Sequence, residues 1–161
     1  MILLAQAAPA LPPLNASLVA FCQNRLGQKV GTGQCADLPY RALLGLRAMP
    51  RAKDAPNPGD YVWGRLVATI TPRSRGAGSL LPGDVLQYRD VAFERRTRLS
   101  WSRMTAAHHT SVVARVEPGR LTVYEQNVNG RMTVGTTELV LADLVGGTLW
   151  AYRPEPTRAR R

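Results

Sequence analysis

Three runs of apolar and β-branched residues in the last third of the chain constrain its fold more than any other feature. They cover residues 110–116, 121–126 and 131–141. Turn-forming segments at 117–119 and 127–130 separate them, and short runs joined by Pro-Gly or Asn-Gly turns are typical of antiparallel strands. We therefore predict an antiparallel meander, followed by a helical turn at 142–144 and a last strand at 146–152.

Two helical patterns precede this predicted sheet. The first has apolar residues at helical spacing, namely Leu18, Phe21, Cys22 and Leu26. Asn15 can cap this helix and Gly27 can end it, which predicts a helix over residues 15–26. The second carries Leu38, Ala42, Leu43 and Leu46, after the turn-rich residues 30–34. Cys35 falls in its first turn, and Pro39 indicates that this turn is irregular or begins later. Helices first and an antiparallel sheet second predict an α+β fold.

The middle of the chain carries weaker patterns. We predict a loop at 48–60, a strand-like segment at 61–67 and a strand at 85–88. Residues 90–107 are basic and aperiodic, with Phe93 and Trp101 among the arginines. This composition predicts a long loop, and long loops in compact domains are often functional.

Length and composition indicate one domain. A chain of 161 residues, 45% of them hydrophobic, can bury one core and is too short for two ordinary domains. We divide it into an arm or signal remnant at 1–14, a single domain at 15–153 and a basic tail at 154–161. The apolar run within residues 1–10 lacks a positively charged start and is shorter than the ~20 residues that span a bilayer. If it is the remnant of an export signal, the protein is secreted or bound to the cell envelope; otherwise its compartment, like its oligomeric state, stays open.

The chain is strongly basic. It has 21 lysines and arginines against 11 acidic residues, a net charge of +10. Such a charge attracts polyanions, among them nucleic acid, anionic lipid surfaces and acidic cell-wall polymers, although scattered arginines are also typical of a solvated surface. The clustered arginines are the candidates for polyanion contact: Arg95, Arg96 and Arg98 in the long loop, and Arg158, Arg160 and Arg161 in the tail.

The two cysteines, Cys22 and Cys35, match no spacing of paired zinc ligands. Cys22 lies in the apolar phase of the first helix, so we expect a buried thiol there. A disulfide between the two would need their side chains to face each other and would consume the thiol of Cys35. The adjacent His108 and His109 cannot both bind one metal from a regular strand, and no phosphate-binding glycine loop is present. We therefore expect no cofactor and no metal.

A cysteine at a helix start and a histidine pair on a strand provide the first two groups that acyl transfer requires. The free N–H groups and partial positive charge of a helix start stabilise a thiolate, which is the reactive form of Cys35. His108 and His109 point to opposite faces of a strand, so only one can act as a base. We prefer His109, in which case Ser111 and Val113 also face the helix that carries the cysteine.

Polar residues at the end of the next strand provide the remaining groups. Glu125 and Asn127 share a face by strand alternation, whereas Gln126 points away. Either Glu125 or Asn127 can orient the histidine through its second ring nitrogen. The side-chain amide of Gln34, or the backbone N–H of the cysteine that follows it, can donate to an oxyanion.

Several segments resemble motifs of CHAP and NlpC-type amidase and peptidase domains. They are Gly33-Gln34-Cys35-Ala36-Asp37-Leu38, Pro82-Gly83-Asp84-Val85, His109-Thr110-Ser111-Val112-Val113 and Glu125-Gln126-Asn127. The resemblance covers about residues 15–153 and implies a papain-like fold, with N-terminal helices packed on a C-terminal antiparallel sheet. Residues 27–31 and 125–130 also resemble a papain-like domain attached to certain fungal actin-patch proteins.

The CHAP and NlpC resemblance implies roles for individual residues. It implies Cys35 as the nucleophile, His109 as the base and Glu125 as the residue that orients the base. Asn127 would support this set and Gln34 would lie near the oxyanion. The substrate that it implies is an amide bond of peptidoglycan.

Two functions from different classes fit these residues. The first is a cysteine amidase or endopeptidase that acts on a peptide or peptidoglycan-like substrate through a thioester acyl-enzyme. The second is a non-catalytic papain-like module that binds a peptide or glycan in the same groove. Trp63 and Trp101 are candidates for the contact surface of such a module, although large aromatic side chains also serve as core.

Overall fold

The structure, a computed structural model, describes residues 10–48, 50, 55 and 57–157. Within this part of the chain two helices precede six strands, which confirms the α+β order. The helices are α1, Pro13–Gln23, and α2, Asp37–Leu44. The strands are β1, Arg65–Ile70; β2, Val85–Arg96; β3, Trp101–Glu117; β4, Arg120–Glu125; β5, Gly135–Val140; and β6, Leu144–Arg153. A 3-10 turn at Leu141–Asp143 lies close to the predicted helical turn.

The strands form one antiparallel sheet in the order β1-β6-β2-β3-β4-β5. Both helices pack on one face of this sheet. The core on that face includes Leu18, Leu38, Leu43, Val85, Val112 and Tyr124. The opposite face carries a second apolar cluster, built from the strands and their connections, which includes Leu86, Tyr88, Val113, Val123 and Leu149. Among the residues described, no helix has the length and apolar character needed to cross a membrane.

The first helix begins and ends earlier than predicted. It starts at Pro13, because a proline at the first helical position has the required φ and lacks an N–H that would be unpaired there. Asn15 therefore lies inside the helix and does not cap it; its side chain donates to the carbonyl of Pro82 and to Asp84, both at 2.9 Å. Cys22 is fully buried with a free thiol, as predicted, and burial raises its pKa to about 12.

The second helix begins at Asp37, two residues after Cys35. The first backbone hydrogen bond of this helix runs from the N–H of Tyr40 to the carbonyl of Ala36. Pro39 therefore occupies the first turn, where a backbone nitrogen has no helical partner to lose. This explains how a proline four positions after the cysteine is compatible with the helix.

The predicted loop at 90–107 is wrong, since these residues belong mostly to β2 and β3, which pair as a long hairpin from Val85 with Val112 to Arg96 with Trp101. Near the tip both faces of the hairpin meet solvent, so its sequence has no alternation to reveal a strand. The segment predicted at 61–67 becomes a strand only from Arg65, and the one predicted at 131–141 only from Gly135. Three predicted segments lie partly outside the described residues: the N-terminal segment 1–14, the loop at 48–60 and the last four residues of the tail.

Candidate active site

Cys35 lies in a tight loop that leads into α2. Gly31 and Gly33 both have positive φ, 60° and 93°. The carboxylate of Asp37 accepts hydrogen bonds from the backbone N–H and the hydroxyl of Thr32, each at 2.7 Å, and a Cβ at Gly31 would lie 2.7 Å from that carboxyl group. The loop is therefore folded back on the start of the helix. Its cysteine is 8% exposed.

His109 and Glu125 are brought together by the register of the sheet. Val112 of β3 pairs with Tyr124 of β4, so one further step puts Glu125 across from Ser111 and diagonal to His109. The Nε2 atom of His109 lies 3.0 Å from Oε2 of Glu125. The other carboxylate oxygen of Glu125 accepts the hydroxyl of Thr137 from β5. Both oxygens are thus engaged, and Nδ1 is the ring nitrogen left for the thiol.

Cys35 and His109 each shift the pKa of the other. Burial alone would raise the pKa of the Cys35 thiol, but its hydrogen bond and charge interaction with His109, and the backbone hydrogen bonds of Thr110 and Ala36, outweigh burial and lower it. Burial alone would lower the pKa of His109, but hydrogen bonds and charge interactions with Cys35 and Glu125 raise it to about 9. The arrangement therefore favours a thiolate beside an imidazolium.

The floor of this site differs from the prediction, which has Ser111 and Val113 facing the helix of the cysteine. Val113 packs in the cluster on the opposite face of the sheet. Ser111 is buried there too, with its hydroxyl 2.7 Å from the hydroxyl of Tyr88. The Tyr88 ring contacts the ring of His109 edge to face at 5.1 Å. His109 is therefore supported from the second core, and the cysteine reaches it past the end of β4, beside the backbone of Thr110.

His108 is engaged elsewhere, on the other face of β3. Its Nε2 lies 3.0 Å from the carboxylate of Asp60, which is 1% exposed. The same carboxylate binds Arg89 at 2.8 Å and accepts the side-chain amide of Gln87 at 3.0 Å. Of the two histidines, His109 is therefore the one beside the thiol.

Asn127 does not reach His109, because β4 ends at Glu125 and Asn127 has a positive φ of 61°. Strand alternation therefore stops before it. Its side-chain amide instead donates to Oε1 of Gln34 at 2.8 Å. This leaves Nε2 as the free end of the Gln34 amide, next to the cysteine in sequence.

Gln126, which strand alternation predicts to point away from the site, holds the cysteine loop. It is fully buried; its amide donates to the carbonyls of Val30 and Gln34 at 2.9 and 2.7 Å and accepts the N–H of Val30 at 3.2 Å. One signal was available in the sequence. Gln126 follows Tyr124 in the phase that packs under the helices, and a polar side chain in a buried phase needs hydrogen-bond partners.

Comparisons with known proteins agree with this architecture. The family model described as the AIM3/BBC1 cysteine proteinase-fold domain matches residues 14–159. Altered inheritance of mitochondria protein 3 from Debaryomyces hansenii is 33% identical in an alignment 148 residues long, which covers 86% of this chain and 16% of that protein. The crystal structure of Ly7917 superposes with a TM-score of 0.50 at 14% identity, over 86% of this chain and 62% of that one.

These matches support a papain-like fold, and they support the resemblance to fungal actin-patch proteins rather than CHAP or NlpC domains in particular. The structure of Ly7917 bears on the fold alone. The chain belongs to the AIM3/BBC1 family of cysteine proteinase-fold domains.

Proposed function

We propose that this domain is a cysteine hydrolase that cleaves amide bonds, with Cys35 as nucleophile, His109 as base and Glu125 as the residue that orients the base. The observation that carries the proposal is the hydrogen-bonded series of Cys35, His109 and Glu125, with Nε2 of His109 3.0 Å from the carboxylate. Within this series the pKa of the Cys35 thiol is lowered and the pKa of the His109 imidazole is raised. A buried thiol normally has a raised pKa, as Cys22 has. Cys35 departs from that behaviour only because of the groups around it.

In the proposed reaction the thiolate of Cys35 attacks the carbonyl carbon of the scissile amide. The C–N bond breaks as the imidazolium of His109 gives its proton to the leaving nitrogen, and a thioester remains. A water molecule then gives a proton to His109 and attacks the thioester, which releases the acid and restores the thiolate. The Nε2 group of Gln34 and the backbone N–H of Cys35 are the candidate donors to the oxyanion. Asn127 supports this role because it holds the other end of the Gln34 amide.

The substrate of this reaction is a peptide. The CHAP resemblance implies peptidoglycan peptides, whereas the names of the relatives point to no such polymer. Ordinary peptides and peptidoglycan fragments are therefore tested side by side. The relative from Debaryomyces hansenii is about six times as long as the part that this chain spans, so any activity of a whole protein is a separate question.

A mixture of peptides from digested casein and a preparation of purified muropeptides provide the test, with new amino termini measured by mass spectrometry. We expect cleavage of at least one mixture by the wild type and by Cys22→Ala, the control for the second thiol. We expect a loss of more than about a thousandfold in Cys35→Ala. Equal product from wild type and Cys35→Ala would overturn the nucleophile, and absence of product from both mixtures would overturn the hydrolase.

Burial of the site favours a second candidate function, a non-catalytic module that binds an extended peptide. Cys35, His109 and Glu125 are 8%, 7% and 3% exposed, so little of the reactive set meets solvent. Of the aromatic residues considered for its surface, Trp63 belongs to the core and only Trp101 is exposed. Trp101 is eight residues from His109 along β3, about 26 Å. Equal binding of casein peptides by wild type and Cys35→Ala, without cleavage by either, would favour this function.

A further inference from the structure

The outer end of the β2–β3 hairpin extends beyond the rest of the sheet. On one side β6 follows β2 only as far as Phe93, which pairs with Leu144, and on the other β4 follows β3 only from Val112 onward. Residues 94–96 and 101–103 therefore pair only with each other. We call residues 94–103 the arm. Among the described residues, β5 and Asp143 approach the base of the arm, where Arg95 pairs with Asp143, and the tip at 97–100 is exposed.

The tip of the arm is a well-ordered turn that presents a leucine to solvent. The backbone N–H of Thr97 donates to the carbonyl of Ser100 at 2.8 Å. The Thr97 hydroxyl accepts the N–H groups of Ser100 and Leu99 at 2.9 and 3.2 Å, and it also bonds to the hydroxyl and the carbonyl of Ser100 at 2.8 and 3.3 Å. The Leu99 side chain projects into solvent, since the residue is 98% exposed. A turn of fixed shape thus holds an apolar side chain away from the protein.

Trp101 is a second exposed apolar side chain near the tip. It is 57% exposed, and its indole N–H donates to Glu94 at 3.0 Å, which fixes the ring against the hairpin. An indole held at one end and open to solvent at the other is suited to the boundary between water and hydrocarbon.

Positive charge surrounds these two residues. The arm contains four arginines and one glutamate, a net charge of +3. Glu94 is shared by Arg96 at 2.9 Å and Arg103 at 3.8 Å, and Arg95 pairs with an aspartate outside the arm. Arg98, at the tip, has no acidic partner among the described residues. The excess charge is therefore greatest beside the exposed leucine.

We infer that the arm docks this domain on an anionic lipid bilayer, with Leu99 and Trp101 at the acyl boundary and the arginines against headgroup phosphates. A convex tip with an extended leucine is suited to a deformable apolar medium, whereas a protein partner would need a matching pocket. Nucleic acid provides phosphates but no apolar medium for the leucine. Guanidinium groups bind phosphate well, and each basic residue near an anionic lipid surface adds to the attraction.

Sedimentation of the full chain with vesicles tests this inference, with and without phosphatidylserine in phosphatidylcholine. We expect binding only to the vesicles that contain phosphatidylserine, weaker as salt is raised. Leu99→Ser should weaken it by about tenfold, and Arg98→Ser by roughly fivefold. Leu66→Ser and Arg73→Ser, which change an exposed leucine and an arginine elsewhere, should bind as the wild type does.

Three outcomes would overturn the inference: equal binding to both kinds of vesicle, wild-type binding by Leu99→Ser, or loss of binding in Leu66→Ser as large as in Leu99→Ser. A single-stranded oligonucleotide that binds the arm and competes with vesicles at equal phosphate would indicate nucleic acid instead. Tryptophan fluorescence provides a second readout, since burial of Trp101 shifts emission to the blue and Leu99→Ser should reduce that shift. Cys35→Ala should dock normally, so failure to dock and failure to hydrolyse are separate results.

Discussion

At the scale of single residues, the chain contains two buried thiols with opposite chemistry. Burial raises the pKa of Cys22 to about 12, so this thiol is unreactive at neutral pH. Cys35 is buried as well, and its pKa is nevertheless lowered, because His109 and two backbone groups stabilise the thiolate. The difference lies in partners rather than in exposure. Each molecule therefore carries its own internal control for thiol reactivity.

The pH dependence of Cys35 alkylation follows from these shifts. Because the pKa of Cys35 is lowered, its thiolate forms at a pH below the ordinary thiol pKa. The imidazolium of His109 persists up to about pH 9. The thiolate and the imidazolium therefore coexist from the lowered pKa of Cys35 up to about pH 9. Hydrolysis needs both, so its rate should fall above about pH 9 as the imidazolium is lost. Alkylation by iodoacetamide needs only the thiolate and should continue. Mass spectrometry at neutral pH should find label on Cys35 and none on Cys22.

Glu125→Gln tests the origin of the raised pKa of His109. Loss of the carboxylate removes one of the groups that raise it, so the imidazolium should disappear at lower pH and the pKa of the Cys35 thiol should rise. A higher thiol pKa leaves less thiolate at neutral pH, by at most about tenfold for each pKa unit of the rise. We expect that loss in the alkylation rate, with Glu138→Gln on the exposed edge strand as the matched control. An unchanged rate would mean that Glu125 has no electrostatic role.

At the scale of elements, the cysteine loop is held by a side chain that directly follows the end of β4. Gln126 satisfies the backbone N–H and carbonyl of Val30 and the carbonyl of Gln34. Val30 is 6% exposed, so these backbone groups have little water to replace the lost partner. This amide therefore helps to fix the position of the thiol relative to β3, together with the bond from Asn127 to Gln34.

Gln126→Ala should lower the free energy of unfolding by about 2 kcal/mol, because buried backbone groups lose their partners. It should also slow alkylation of Cys35 several-fold, since the loop can then move away from His109. Gln28→Ala is the matched control, as its exposed amide makes two long hydrogen bonds of 3.3 Å, one to the carbonyl of Asn24 and one from the side chain of Arg25. Urea unfolding and timed labelling measure the two effects. Wild-type labelling in Gln126→Ala would mean that the loop keeps its position unaided.

Sequence patterns predicted the elements that have one buried face and failed where burial is absent or turns irregular. The strand at 110–116 was predicted because residues 110–113 are buried in β3 and an exposed arginine follows them. The arm was missed because solvent surrounds it. Pro39 indicated that α2 begins after Cys35, and it begins at Asp37, but the fold of the loop at Gly31 and Gly33 could not be predicted. Glu125 could be assigned by alternation. Asn127 could not, because the alternation ends with the strand.

At the scale of the whole molecule, Asp84 joins three distant parts of the chain. This fully buried carboxylate accepts the side chain of Asn15 from α1, the backbone N–H of Leu81 and two bonds of 2.9 Å from Arg153 at the end of β6. Gly83 beside it has a φ of +84°, and a Cβ there would lie 2.4 Å from the backbone of α1. The Pro-Gly-Asp motif therefore has a structural role at the junction of helix and sheet.

Asp84→Asn should destabilise the fold by about 3 kcal/mol, because the guanidinium of Arg153 loses its charge partner in a largely buried position. Glu138→Gln breaks an ion pair with Arg120 in which both side chains are about half exposed, and should cost about 0.5 kcal/mol or less. Urea unfolding followed by tryptophan fluorescence compares the two variants. Equal losses in the two would contradict the role of Asp84 as a junction.

The hydrogen bonds of Gln126 also bear on when the thiol becomes reactive. They link positions 96 and 92 residues apart, and His109 lies well downstream of Cys35. During synthesis Cys35 therefore leaves the ribosome long before the residues that change its pKa, and contacts between distant positions form slowly. The nascent chain carries an ordinary thiol. Reactivity at Cys35 is in this sense a late product of folding, which spares the unfinished chain and its neighbours from an activated nucleophile.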